Sequence, residues 1–173
     1  MHPQKSAGNL KTRKGKTIMQ PRLDFMKASP EAYKAMAQME SVVRRSGIDP
    51  KLLELIKIRA SQLNGCAFCI DMHTKDARAA GESEQRLYAL SAWRETPFFN
   101  DRERAALALT ERVTLIAESH DDETAFAELG RHFSDKEIVD LTLAIIAINA
   151  WNRLAITFQP TVGSYQPRST ATR

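Results

Sequence analysis

The chain has 173 residues, 43% of them hydrophobic and 27% charged, a balance that fits one soluble domain with a real core and excludes fibrous and low-complexity classes. Two cysteines cannot staple a domain of this size, and the uncharged apolar stretch at residues 141–152 is too short to cross a bilayer. A net charge of +4 and a pI near 9.2 suggest nucleic acid at first, but the charge is local. Lys5, Lys11, Arg13, Lys14 and Lys16 lie in residues 1–18, which hold no acid, and without them the chain has one more acid than base.

Residues 1–18 therefore read as a disordered basic leader, without the apolar run of a secretory signal and without apolar periodicity. The body reads as successive helices. Ser29-Pro30-Glu31 combines a cap, a first-turn proline and a first-turn acid, and Ala32, Met36, Met39 and Val43 then recur at helical spacing until Gly47. Asp49-Pro50 opens a second helix carrying Leu52, Leu53, Ile56 and Leu63. Asn64-Gly65 breaks it, and Asn64 is a candidate cap for a third helix that begins near Cys66 and ends at Gly81. Ser83 starts a fourth, with Leu87, Leu90 and Trp93 on one face, closed before Pro97. Asn100-Asp101 opens a long one with Ala105, Leu109, Arg112 and Ile116 on a stripe, and Asp121 or Asp122 a shorter one to Gly130. Ser134 and Glu137 have capping-box spacing before a last helix through Ile138, Leu141, Ile145, Ile148 and Trp151 to Phe158.

No segment alternates with the period of two that marks a strand. The expected fold is all-α: one helical domain of about seven helices over residues 19–160, between the leader and a flexible tail at 161–173. The last helix is apolar on nearly all sides between 141 and 150, so it belongs in the centre of the bundle or at a subunit interface.

The chemistry concentrates in one place. Both cysteines stand in a C-x-x-C, Cys66 and Cys69, and His73 follows four residues later, so a helix carries all three on one stripe. A helix start favours thiolate over thiol, and an imidazole one turn on can shuttle protons. Two thiols so close can also cycle through a disulfide. The residues alone leave three readings open: buried structural thiols, a three-ligand zinc site with His120 or His132 as an unpaired fourth ligand, and redox chemistry on a helical scaffold. A thioredoxin-type site is excluded, since no strand precedes the motif. Arg59, Asn152 and Arg153 read as helix-bridging residues.

The run ELIKIRASQLNGCAFCIDMH, residues 54–73, resembles the signature of AhpD-like alkylhydroperoxidases of the carboxymuconolactone decarboxylase superfamily, and AINAWNRL, residues 147–154, is similar to their final-helix segment. The resemblance implies that Cys69 attacks a peroxide, that Cys66 resolves the resulting sulfenic acid to a disulfide, and that Glu54 and His73 relay protons. It implies a peroxidase without cofactor or metal, acting on organic hydroperoxides or hydrogen peroxide. Regeneration would fall to a dithiol reductant such as a lipoylated or thioredoxin-like protein. It implies a homo-oligomer, a hexamer built as a trimer of dimers, with neither nucleic acid nor membrane as partner. Where the family has a histidine before the second cysteine, this chain has Phe68. Intact dithiols imply a reducing compartment, the cytoplasm. A carboxymuconolactone decarboxylase-type activity and a zinc-binding or redox-sensing role are the alternatives.

Overall fold

A computed structural model describes residues 10–13, 16–118 and 123–167, with side chains from residue 20 onward. Eight α-helices occur among them: α1 (Phe25–Ala28), α2 (Pro30–Arg44), α3 (Pro50–Asn64), α4 (Ala67–Ala79), α5 (Glu84–Ala89), α6 (Asp101–Thr114), α7 (Glu123–Gly130) and α8 (Asp135–Phe158). The all-α architecture expected from the sequence is the one observed.

Helix starts follow local chemistry. Asn100 and Glu103 close a reciprocal capping box at α6, and Ser134 and Glu137 close another at α8, each satisfying backbone N–H groups that have no partner inside the helix. The Asp49 side chain accepts from the Lys51 N–H, and Pro50 fills the first turn of α3. Gly65, at φ 67°, ends α3 in the left-handed region that glycine tolerates, which turns the chain back so that α4 packs along α3.

Helices α3 and α8 form the centre, flanked by α2, α4 and α6. One core cluster joins Leu52, Leu53 and Ile56 to Leu141, Ala144 and Ile145, while Leu55, Ile58, Leu90, Trp93 and Leu107 fill a second on the other side of α3. α8 is long and apolar enough by length and composition to cross a membrane, and here it is the inner helix, with nine residues buried in the bundle.

The structure departs from the sequence reading in five places. Leu10–Arg13 and Lys16–Met19 form an antiparallel ribbon, β1 and β2, with Leu10 opposite Met19, inside the leader read as disordered. Residues 1–9, 14 and 15 lie outside the described residues. The tail read as flexible is docked on α4 as far as Tyr165: Tyr165 donates to Asp76, and the Gly163 N–H donates to Asp71; residues 168–173 lie outside the described residues. Asn64 does not cap α4, whose N-cap is Cys66. The segment from Ser83 to Pro97 is split, because Ala92 leaves helical dihedrals within a 3-10 turn at Leu90–Glu95. Finally, α6 ends at Thr114, leaving Ile116 exposed rather than on the buried stripe. His120 and the helix start at Asp121 or Asp122 lie outside the described residues.

Candidate active site

The site forms where α3, α4 and α8 meet. Cys66 is the last residue before α4 and Cys69 sits in its first turn. Both are buried and free of a disulfide, packed among Ala60 of α3 and Ile148 and Ala155 of α8, with Phe68 and Trp151 against them. Phe25 and Tyr33 pack against Trp151 and Phe158 stacks on Phe25, an aromatic cluster with ring centroids 5.7 to 6.5 Å apart. The Arg22 N–H donates to the Phe158 carbonyl at 2.9 Å and ties the incoming chain to the end of α8.

The two sulfurs are electrostatically unequal. The Cys69 thiol donates to the Cys66 sulfur and lowers the pKa of Cys66 most; burial opposes this, while the backbone N–H groups of Cys69 and Phe68 and the Asn152 side chain assist, for a value of about 7. Cys69, as donor beside a negative neighbour and itself buried, is pushed up. A negative charge at a helix start is favoured by the unpaired N–H groups and the dipole, so the resting thiolate belongs on Cys66.

A second pair lies one turn further along α4. His73 is buried, and its Nδ1 is 2.8 Å from Glu54 Oε2 across the α3–α4 interface. A carboxylate only accepts, so Nδ1 carries the hydrogen and Nε2 is the nitrogen free to exchange a proton. Burial works against a charged Glu54, but the hydrogen bond and charge of His73, together with Lys57 and Arg44, outweigh it and hold the carboxyl below its ordinary value. Lys57 is itself buried, with Glu40 at 2.6 Å and Glu54 at 3.9 Å. Glu54 thus touches the lysine one turn along its own helix, but its shorter partner is the imidazole of the next helix.

All four residues singled out in the sequence converge, as two pairs on successive turns: Cys66 with Cys69, and Glu54 with His73. Glu54, His73 and Asp76 also bring possible cation ligands within 4.8 Å of one another. Those groups already have protein partners, His73 with Glu54 and Asp76 with the Tyr165 hydroxyl, and neither cysteine belongs to that cluster. His132 lies elsewhere, 3.3 Å from Glu128. Arg59 bridges helices as expected, with its Nη2 2.7 Å from Glu111 on α6.

Sequence reading missed three residues of the site. Asn152 lowers the pKa of both thiols, and Asp76 and Tyr165 join the tail to α4. The available signal was in α8, where Asn149 and Asn152 interrupt an apolar helix at a spacing of three, facing inward together.

A helical bundle with a dithiol at a helix start and a carboxylate–imidazole pair one turn on defines a class that the comparisons identify. The carboxymuconolactone decarboxylase family model matches residues 30–112. The uncharacterized protein YdfG of Bacillus subtilis is 46% identical over 138 residues, covering 80% of this chain and 94% of YdfG. The crystal structure of ATU0492 from Agrobacterium tumefaciens, a protein of unknown function and candidate antioxidant defence protein AhpD, has a TM-score of 0.79 at 47% identity, over 87% of this chain and 100% of that one. Alkyl hydroperoxide reductase AhpD of Bradyrhizobium diazoefficiens is 36% identical over 62 residues, 35% of this chain and 34% of its own. The chain belongs to the carboxymuconolactone decarboxylase family and has the AhpD-like fold.

Proposed function

We propose that the protein is a thiol-dependent peroxidase that reduces organic hydroperoxides or hydrogen peroxide through a Cys66–Cys69 dithiol/disulfide cycle. The observation that carries this reading is the buried pair of free cysteines at the start of α4 with the Glu54–His73 pair one turn away. Cys69 passes its proton to the Cys66 sulfur that it already contacts, and the Cys69 thiolate attacks one peroxide oxygen. The O–O bond breaks, the departing alkoxide or hydroxide takes a proton through the His73–Glu54 pair, and Cys69 becomes a sulfenic acid. Cys66 attacks that sulfur, the S–S bond forms, and water leaves with the Cys66 proton. One peroxide is reduced to an alcohol or water by two electrons, and one dithiol is oxidised. A second dithiol, on a lipoylated or thioredoxin-like protein, restores the thiols by exchange. This cycle requires no metal or cofactor, and it suits a reducing compartment such as the cytoplasm.

Self-association belongs to the same reading, as a hexamer made of three dimers. Val139 and Ile146 on the outer face of α8 and Phe126 on α7 are exposed around an apolar groove of about 450 Å³, a surface of the kind that partner subunits cover.

Mass spectrometry after one equivalent of peroxide tests the cycle. The expected result is a loss of two hydrogens within the peptide that holds both cysteines. Full dithiol-driven turnover by Cys69→Ser would overturn the attacking role, and lactone decarboxylation that survives replacement of both cysteines would overturn the whole reading.

A further inference from the structure

The geometry points to Asn152 as a catalytic residue of the dithiol: its side-chain amide presents one hydrogen to the cysteine pair, with an orientation locked by a one-directional chain of polar side chains across α6, α8 and α3.

The chain can be followed hydrogen by hydrogen. Asn149 Nδ2 donates to Thr114 Oγ1 at 3.0 Å and to the Ile145 carbonyl at 2.9 Å, which uses both of its hydrogens and fixes Oδ1 as an acceptor. Asn64 Nδ2 donates to Asn149 Oδ1 at 2.9 Å and to Asn152 Oδ1 at 2.8 Å, so Asn64 is spent as a donor and the Asn152 oxygen is pinned toward α3. Asn152 Nδ2 points to an earlier turn of the same helix. One of its hydrogens goes to Ser61 Oγ at 3.0 Å. Ser61 has to accept it, because its own hydroxyl hydrogen goes to the Lys57 carbonyl at 2.7 Å. The second Nδ2 hydrogen is left over, and Asn152 shares the face of α8 on which Ile148 and Ala155 pack against Cys66 and Cys69, so that hydrogen is available to the cysteine pair, whose pKa values Asn152 lowers.

A flipped amide would break two of these bonds and turn an oxygen toward a thiolate. Asn152 is fully buried, so water cannot replace the lost partners, and the penalty for misorientation is high. The result is a fixed donor aimed at the place where negative charge sits before attack and reappears when a disulfide is reduced, the arrangement that stabilises developing anions most effectively. Asn152 lowers the pKa of both thiols, so the donor can serve whichever sulfur carries the charge as the proton moves between them.

The charged and titratable side chains near the pair on the packed elements are Glu54, Lys57 and Arg59 of α3, His73 of α4 and Arg153 of α8, with Tyr33 of α2 against Trp151. Each of the first five has a partner of its own: Glu54 with His73, Lys57 with Glu40, Arg59 with Glu111, and Arg153 with Asn149. Asn152 is thus the neutral donor on the face of α8 turned toward the sulfurs.

The inference deepens the proposed dithiol cycle, and its test needs no peroxide. In the reduced full-length protein, iodoacetamide alkylation of the cysteines is followed from pH 6 to pH 10 for Asn152→Ala and Asn152→Asp, alongside thermal unfolding. Loss of one hydrogen bond to a charged sulfur is expected to reduce the alkylation rate at pH 7 by about tenfold and to move the midpoint upward. Asn152→Asp, which adds a like charge, is expected to lose more. A role confined to packing lowers the thermal midpoint and leaves the alkylation curve where it is; that outcome overturns the inference. If neither variant folds, the unmutated protein decides. Its Asn152 side-chain amide resonances are expected to shift with the same pH midpoint as the thiolate, and amide signals that stay flat through that titration overturn it. A normal alkylation shift in a protein with no peroxide turnover would sink the peroxidase reading and leave the role of Asn152 standing.

Discussion

Replacing Cys69 by alanine removes the hydrogen-bond donor that contributes most to the low pKa of Cys66. At about 7, Cys66 is half ionised at pH 7, whereas a thiol at the ordinary 9.0 is ionised to about 1%, so the site enriches the Cys66 thiolate about 50-fold. Burial opposes this enrichment, and without the Cys69 thiol only the Phe68 and Cys69 backbone amides and Asn152 remain in its favour. Cys69→Ala is therefore expected to lower alkylation of Cys66 at pH 7 by about tenfold or more, with the loss closing as the pH approaches 10. Each protein is compared with itself across pH, so differences in access to the buried sulfur cancel. Iodoacetamide labelling with peptide mapping reads both rate and position. A Cys69→Ala midpoint that stays near 7, or a first label on Cys69 in the unmutated protein, would refute the assignment of the resting charge to Cys66.

Glu54→Gln keeps the shape of the side chain but removes the charge that orients His73; peroxide-driven disulfide formation should slow by roughly 10²-fold, measured by stopped-flow tryptophan fluorescence. Glu111 holds Arg59, Arg94 and the Trp93 indole, and although burial opposes its charge, those bonds keep its pKa below the ordinary 4.5. Its stabilising contribution is complete above pH 4.5 and is lost as pH falls through its own lower value, so acid unfolding of Glu111→Gln should lack that limb. Ile145→Ala, at a fully buried position in the main core, should cost about 2–5 kcal/mol in urea unfolding. Ile146→Asp places a charge on the exposed apolar face of α8 and should shift the protein toward smaller species in light scattering; an unchanged mass would show that this face is not the subunit contact.

Legibility in the sequence follows the range of the interactions. Helix starts at Asp49, Asn100 and Ser134 are written within four residues, because a cap and its partner lie in the same turn. The dithiol and His73 were readable for the same reason. The Glu54–His73 contact spans 19 residues and was implied only by resemblance to a known motif. Contacts that bridge 85 to 91 residues left no local trace: Asn64 with Asn149, Asn152 with Ser61, and Tyr165 with Asp76. Asn152 therefore read only as a helix-bridging residue, which its bonds to Ser61 and Asn64 bear out, and Tyr165 as part of a flexible tail. The break at Ala92 was equally hidden, since no proline or glycine marks the kink, which lies between the buried Leu90 and Trp93.

The closed setting of the sulfurs sets the tempo of any reaction there. Cys66 is 1% and Cys69 2% exposed, with Phe68 and Trp151 packed against them and the aromatic cluster behind. A reagent in solution meets a sulfur only during local opening, so its observed rate is the intrinsic rate multiplied by the fraction of time the cover is lifted. A cover held by about 3 kcal/mol would slow every external thiol by roughly 150-fold, whereas the step between Cys66 and Cys69 needs no such opening. The fold thus separates an internal sulfur–sulfur reaction from its exchange with the surroundings, and a stray thiol competes poorly against a partner able to part the aromatic cover.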